Sequence, residues 1–171
     1  LEQIREQHTS IAEQLFTNPR HPVFQHIKGY FTALEEKLCQ EASLNYDFEY
    51  DQIVVYGELL ATRIVAAYLE ERGLPAHWKD VRKIIKTDST YRNARVNWEL
   101  TTQQVNRQLR EETGFTVLQG FIAASPNNIS TTLGREGSDF TASILGYQLQ
   151  AEEVVIWKDV AGVFNADPKL F

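Results

Sequence analysis

Thr131-Thr132-Leu133-Gly134-Arg135-Glu136-Gly137-Ser138-Asp139-Phe140-Thr141-Ala142 places two glycines, an arginine, a serine and an aspartate at positions 134–139, directly before an apolar run at helical spacing. Glycine lets the backbone turn with positive φ and approach a ligand closely. Ser138 or Asp139 is then expected to cap a helix carrying Thr141, Ala142, Ile144, Leu145 and Leu149. Such a loop aims backbone N–H groups at an anion, and Arg135 adds a fork suited to carboxylate or phosphate. The same spacing also fits a plain polar turn leading into a capped helix.

Working outward, the pattern alternates. Ile53-Val54-Val55-Tyr56 is a β-branched run bounded by Gly57, as expected of a buried parallel strand. A helix follows with Leu59, Leu60, Ile64, Val65, Tyr68 and Leu69 on its apolar side and Gly73 at its end. Further strands are predicted at Ala94–Trp98, Thr116–Gln119 and Val154–Trp157, and helices at about 101–112 and 139–149. Strand–helix alternation with right-handed crossovers gives an α/β fold, a mainly parallel sheet sandwiched by helices. Before residue 50 there is no strand signal. Leu1, Ile4, His8, Ile11 and Leu15, then Val23, Phe24, Ile27, Phe31, Leu34 and Leu38, recur at helical steps, with Asn18-Pro19 and Pro22 between them. The expected organisation is a helical segment over 1–50 and an α/β core over 51–171, truncated at both ends.

Composition narrows the function classes. A chain of 171 residues with 43% hydrophobic and 23% charged residues can bury a sizeable core. A net charge of −6 without a basic stripe argues against nucleic-acid binding. No apolar run approaches the roughly 20 residues that span a bilayer, and no signal-peptide pattern opens the sequence. The lone Cys39 allows no internal disulfide, fits a reducing compartment and reads as a small buried hydrophobe. With no Met and a first residue Leu1, the chain reads as a piece of a longer protein. His8, His21, His26 and His77 form no His-Glu-x-x-His pair, so a zinc site has no support. Neither a P-loop nor a Gly-x-Ser-x-Gly elbow is present.

The residues left over cluster at predicted strand ends, where ligands gather in parallel sheets. Glu58 follows the first strand and opens a helix, so it either complements the helix dipole or receives a ligand's ammonium group. Arg135 is its complement for a carboxylate, and the two together would read a free amino acid. Gly120-Phe121 follows the third strand. Lys158-Asp159 follows the last one and runs through Gly162 to Lys169, either a charged surface loop or a segment that meets nucleotide phosphates.

Gln119-Gly120-Phe121-Ile122, the 131–142 stretch, Ile156-Trp157-Lys158-Asp159-Val160-Ala161-Gly162-Val163 and Ala166-Asp167-Pro168-Lys169 together resemble the aspartokinase family. Tyr56-Gly57-Glu58, Trp78, Asp80-Val81-Arg82 and Lys86-Thr87-Asp88 occur upstream in the matching order. The resemblance covers about residues 50–171. It implies the amino acid kinase fold, transfer of the ATP γ-phosphoryl to the side-chain carboxylate of L-aspartate with Mg²⁺, and a cytoplasmic, homo-oligomeric parent fused in some cases to regulatory or dehydrogenase domains. It further implies that Glu58 holds the substrate ammonium, that Arg135 and Ser138 bind its carboxylates, and that Phe121 adds a main-chain contact. Asp139 would organise catalytic lysines, and Lys158, Asp159, Phe164 and Lys169 would lie on the nucleotide side. Glu136 stands where the family has glycine, Lys158 where threonine is usual, and Lys169 where arginine is. Neither the family's opening Lys-Phe-Gly-Gly-Thr-Ser loop nor its second lysine segment is in the chain, which implies the middle of a catalytic domain that is inactive alone. Other amino acid kinases, or a non-catalytic binding module on the same fold, are the alternatives.

Overall fold

The structure, a computed structural model, describes residues 1–158. Three helices come first: α1 (Glu2–Leu15), α2 (Pro22–Cys39) and α3 (Tyr46–Glu71). Pro22 pre-sets the first turn of α2, where its missing N–H costs nothing, and the His21 ring accepts from the Val23 amide at 3.2 Å. Asn45 caps α3 by accepting from Phe48 N at 3.1 Å. Gly73, at φ 80°, ends it as its pattern predicts.

The strand expected at Ile53–Tyr56 is instead the interior of α3, which also crosses residue 50. A four-residue β-branched run cannot by itself distinguish a buried strand from a buried helix. Tertiary packing decides here, because α3 serves two cores. Its Leu60, Ile64 and Ala67 meet Ala12 and Phe16 of the first helical hairpin and Val23, Ile27 and Phe31 of α2. Its Val55 and Leu59 meet Val81, Ile85, Ile122, Ala123, Leu133 and Ile144. α3 is long enough to cross a membrane and carries a stretch of mean hydropathy 1.3; it buries Val55, Leu59, Leu60 and Ile64 in these two cores, while Ile53 and Val65 stay exposed. On α1 only Ala12 is buried, so Ile4 and Ile11 of the predicted stripe remain exposed. Cys39, expected inside, is exposed, because Leu34 is the last buried residue of α2 and the final turn overhangs the core.

The described strands are short. β1 (Ala76–Trp78) runs parallel to β2 (Phe115–Val117), with Ala76 opposite Phe115. β3 (Ile122–Ala124) and β4 (Ser130–Thr132) form an antiparallel pair. Lys86 adds a parallel bridge to Ala124 and Thr87 an antiparallel one to Val96. The predicted 94–98 strand shrinks to that last bridge, since Asn97 caps α4 (Trp98–Gln108) through Leu100 N at 3.0 Å. Val154–Trp157 is exposed and pairs with no strand among the described residues.

Ile84 and Ile85 are both fully buried yet belong to different clusters. Ile84 packs with Val105 and Leu109 at α4, and Ile85 packs with Val55 and Leu59 of α3. Ile84 ends the short helical turn Val81–Lys83 and Ile85 leads out of it to the Lys86 bridge, so the two side chains enter different clusters. Helices thus pack on this segment in two clusters, α4 through Ile84 and α3 through Ile85, and α5 (Gly137–Leu149) closes the second core through Ile144. This is the α/β architecture expected.

Candidate active site

Glu58 lies in the middle of α3, not at a strand end. It is half-buried, and burial alone pushes its carboxyl above the usual glutamate range. One turn on, the Thr62 hydroxyl donates to the Glu58 carbonyl at 2.7 Å. The same oxygen accepts from Trp78 Nε1 at 3.0 Å and from Gln119 Nε2 at 2.9 Å. Gln119, 1% exposed, also accepts from Val81 N at 2.8 Å through Oε1. Neither Thr62 nor the side-chain bonds of Gln119 could be found from sequence, since the partners lie 57 and 38 residues apart.

Gln119 leads into a tight turn. Ile122 N donates to Gly120 O at 2.7 Å, and Phe121 between them has φ 69°. A γ-turn with positive φ at a phenylalanine is strained and persists only where its surroundings hold it. Both main-chain groups of Phe121 are engaged: its N–H donates to Thr141 Oγ1 at 3.0 Å and its carbonyl accepts from Leu133 N at 2.9 Å. The turn lies flat against the start of α5. A Cβ on Gly120 would stand 2.7 Å from Ser138 Oγ and 2.9 Å from Ser138 Cα, and one on Gly137 would stand 2.7 Å from the Phe121 ring.

This close approach gives a direct prediction. The Ser138 hydroxyl can rotate away from an added methyl, but Ser138 Cα moves only if α5 moves. Gly120→Ala is expected to cost about 1–3 kcal/mol and to lower Tm by several degrees in a thermal melt. An unchanged Tm would show that the loop and helix have room to separate.

α5 begins at Gly137, so neither Ser138 nor Asp139 caps it. Glu136 takes the cap position in the left-handed conformation (φ 55°) without a side-chain capping bond. Left-handed backbone is where glycine is strain-free and a side chain is not. Gly134, at φ 81°, abuts Asn93. Arg135 is 96% exposed and its only described ion pair is with Glu136, at 4.0 Å. Asp139 sits in the first turn of α5, where the helix dipole favours a carboxylate. Lys158 Nζ lies 2.8 Å from Asp139 Oδ2 and 3.7 Å from Glu136 Oε2, and the Asp139 bond raises the lysine pKa. Charges thus alternate Arg135, Glu136, Lys158, Asp139 across the head of the helix.

The structure brings Phe121, Ser138 and Asp139 onto one loop–helix junction, with Lys158 bonded to it. Glu58 connects to the same junction through Thr62 and Gln119. Asp159, Phe164 and Lys169 lie outside the described residues. Among the described residues no group of three acidic, histidine or cysteine side chains could hold a metal ion.

The Amino acid kinase family model matches residues 5–171. Lysine-sensitive aspartokinase 3 of Escherichia coli (strain K12) is 39% identical over 124 residues, covering 70% of this chain and 27% of that protein. Aspartokinase of Chlamydia trachomatis (serovar D) is 32% identical over 169 residues, covering 99% of this chain and 37% of that protein. Among solved structures, E. coli aspartokinase III in complex with aspartate and ADP (R-state) superposes with a TM-score of 0.83 at 33% identity, over 99% of this chain and 38% of that one. The chain therefore spans well under half of the length of the relatives it matches, 27% and 37% of these two.

Proposed function

This chain belongs to the amino acid kinase family, and from that premise we propose that the whole protein transfers the γ-phosphoryl group of ATP to the side-chain carboxylate of L-aspartate. The observation that carries the proposal is the likeness over 99% of the chain to an aspartokinase solved with aspartate and ADP. In this reading an oxygen of the aspartate side chain attacks the γ-phosphorus, the bond to the β-phosphate oxygen breaks, and ADP leaves with an acyl phosphate as the other product. Such chemistry asks the protein for positioning and charge neutralisation, with no covalent nucleophile.

Arg135 and Ser138 take the carboxylates of the amino acid in this reading, with the strained Phe121 turn shaping the floor beneath. Glu58 takes the ammonium. Asp139 orients a lysine toward the phosphates, in keeping with its 2.8 Å bond to Lys158. The segment bearing Asp159, Phe164 and Lys169 meets the nucleotide. Mg²⁺ would arrive on the ATP phosphates, whose developing charge it would help to neutralise.

A free α-amino acid rather than an acylated one is favoured by Glu58, a half-buried carboxylate whose pKa is raised by burial. Ammonium binding needs Glu58 ionised. The kcat/KM for aspartate in the whole protein is therefore expected to fall as pH drops through a value above the ordinary glutamate range. In Glu58→Gln it should be low and flat over that window, and a native profile without this limb would remove Glu58 from the ammonium site. The stability consequence has the opposite sense. A folded pKa above the unfolded one means that the ionised group costs stability once pH exceeds the unfolded value. Glu58→Gln should accordingly be more stable at neutral pH, with the gain vanishing below the ordinary glutamate pKa.

A further inference from the structure

We propose that Thr62, which touches no substrate in the reading above, is the positioning residue that sets Glu58 against the Gln119-Gly120-Phe121 turn and so fixes the separation of the ammonium and carboxylate sites. The inference rests on the proposed aspartate reading.

A threonine hydroxyl bonded to the carbonyl four residues back is common in helices and needs no further role. Thr62 goes beyond that habit. Its single oxygen donates to Glu58 O at 2.7 Å and accepts at both lone pairs, from Trp78 Nε1 at 3.0 Å and Gln119 Nε2 at 2.9 Å. A hydroxyl has one proton and two lone pairs, so this one is saturated. The three partners belong to different parts of the fold: Glu58 to α3, Trp78 to β1, and Gln119 to the turn before β3. Two of the partners have a further contact. The Arg63 guanidinium lies 4.2 Å over the Trp78 ring, and Gln119 Oε1 accepts from Val81 N at 2.8 Å. The node therefore cannot drift without dragging a packed neighbour.

The functional content lies in what flanks the node. Glu58 is bonded to Thr62 through its own carbonyl, so the helix turn presenting its carboxylate is tied there. Gln119 immediately precedes Gly120 and the strained Phe121, which lie against Ser138. Thr62 is thus the described hydroxyl that joins the element bearing Glu58 to the turn that backs Ser138. A shift at the node moves the two ends of an amino acid site relative to each other. Lys158 has its own partners at the α5 head, Asp139 and Glu136, and makes no bond to the node.

The experiment is steady-state kinetics on the whole protein with three variants, Thr62→Val, Thr62→Ser and Gln119→Met, following KM for aspartate and for ATP separately. Thr62→Val keeps the shape and deletes the node, and should raise KM for aspartate at least tenfold while KM for ATP changes less than threefold. Thr62→Ser restores the hydroxyl and should stay within threefold of native on both. Gln119→Met removes the bond to Thr62 and the acceptor for Val81 N, leaves the Thr62 bonds to Glu58 and Trp78 in place, and should show the same aspartate-selective rise, which keeps the test decisive where Thr62→Val fails to fold. Equal rises for both substrates in Gln119→Met, or a Thr62→Ser variant as impaired as Thr62→Val, would overturn the positioning role. Native protein without aspartate-dependent turnover would instead overturn the aspartate reading, and this inference with it.

Discussion

Replacing Asp51 by alanine is expected to remove about 3 kcal/mol or more of folding stability, since each buried donor left without a partner costs about 1–3 kcal/mol. Asp51 is fully buried. One carboxylate oxygen accepts from Arg92 N and Thr132 N, both at 2.9 Å, and the other from Thr132 Oγ1 at 2.8 Å. It ties α3 to β4 and to the loop around Arg92, directly before the Gly134–Glu136 turn. Burial raises its pKa while the three donors oppose that shift. Alanine would orphan two backbone amides and a hydroxyl at once. Against a total of about 5–15 kcal/mol for a domain, the loss is large enough to show as a Tm drop of roughly 10 °C. Asp51→Asn keeps one acceptor oxygen and should fall between native and alanine. A Tm for Asp51→Ala within 2 °C of native, roughly half a kcal/mol, would mean that water replaces the carboxylate at little cost.

Asp51 also illustrates what the sequence conceals. Residues 51–56 read as the entry to a strand because Ile53-Val54-Val55 is β-branched, and nothing local reveals that Asp51 faces Thr132, 81 residues away. β4 was hidden for the converse reason. Ser130-Thr131-Thr132 looks like polar loop, yet all three are buried, with Thr131 bonded to Thr87 at 2.7 Å and Thr132 to Asp51. β3 is Ile-Ala-Ala, fully buried on both faces, so it carries no alternation to detect. α2 follows its periodicity, with Val23, Ile27, Phe31 and Leu34 buried, whereas α5 starts at Gly137, ahead of the Ser138 or Asp139 cap its sequence suggests. At the candidate site, Arg135, Ser138 and Asp139 were legible because they share one short motif. Thr62 and Gln119 act through long-range hydrogen bonds and leave no periodic mark. Glu58 was picked out for its neighbours in sequence, but its setting in mid-helix came only from the fold.

Arg135→Ala is the second large effect, and it concerns ligand rather than fold. The side chain is 96% exposed, so its removal should leave Tm nearly unchanged. In the proposed reading it makes a bidentate, charge-assisted contact to a substrate carboxylate, worth about 1.5–3 kcal/mol. KM for aspartate should rise roughly 10- to 150-fold, and KM for ATP much less. Arg135→Lys should fail similarly, because a point charge does not reproduce the planar fork. Equal increases for both substrates would place Arg135 outside the amino acid site.

The most direct test of the aspartate reading is hydroxylamine trapping of the acyl phosphate by the whole protein supplied with ATP, Mg²⁺ and one acceptor at a time. The account predicts a hydroxamate with L-aspartate well above a no-enzyme control, and none with N-acetylglutamate, which has no ammonium group for Glu58 to receive. Hydroxamate formed from N-acetylglutamate and not from aspartate would contradict the account.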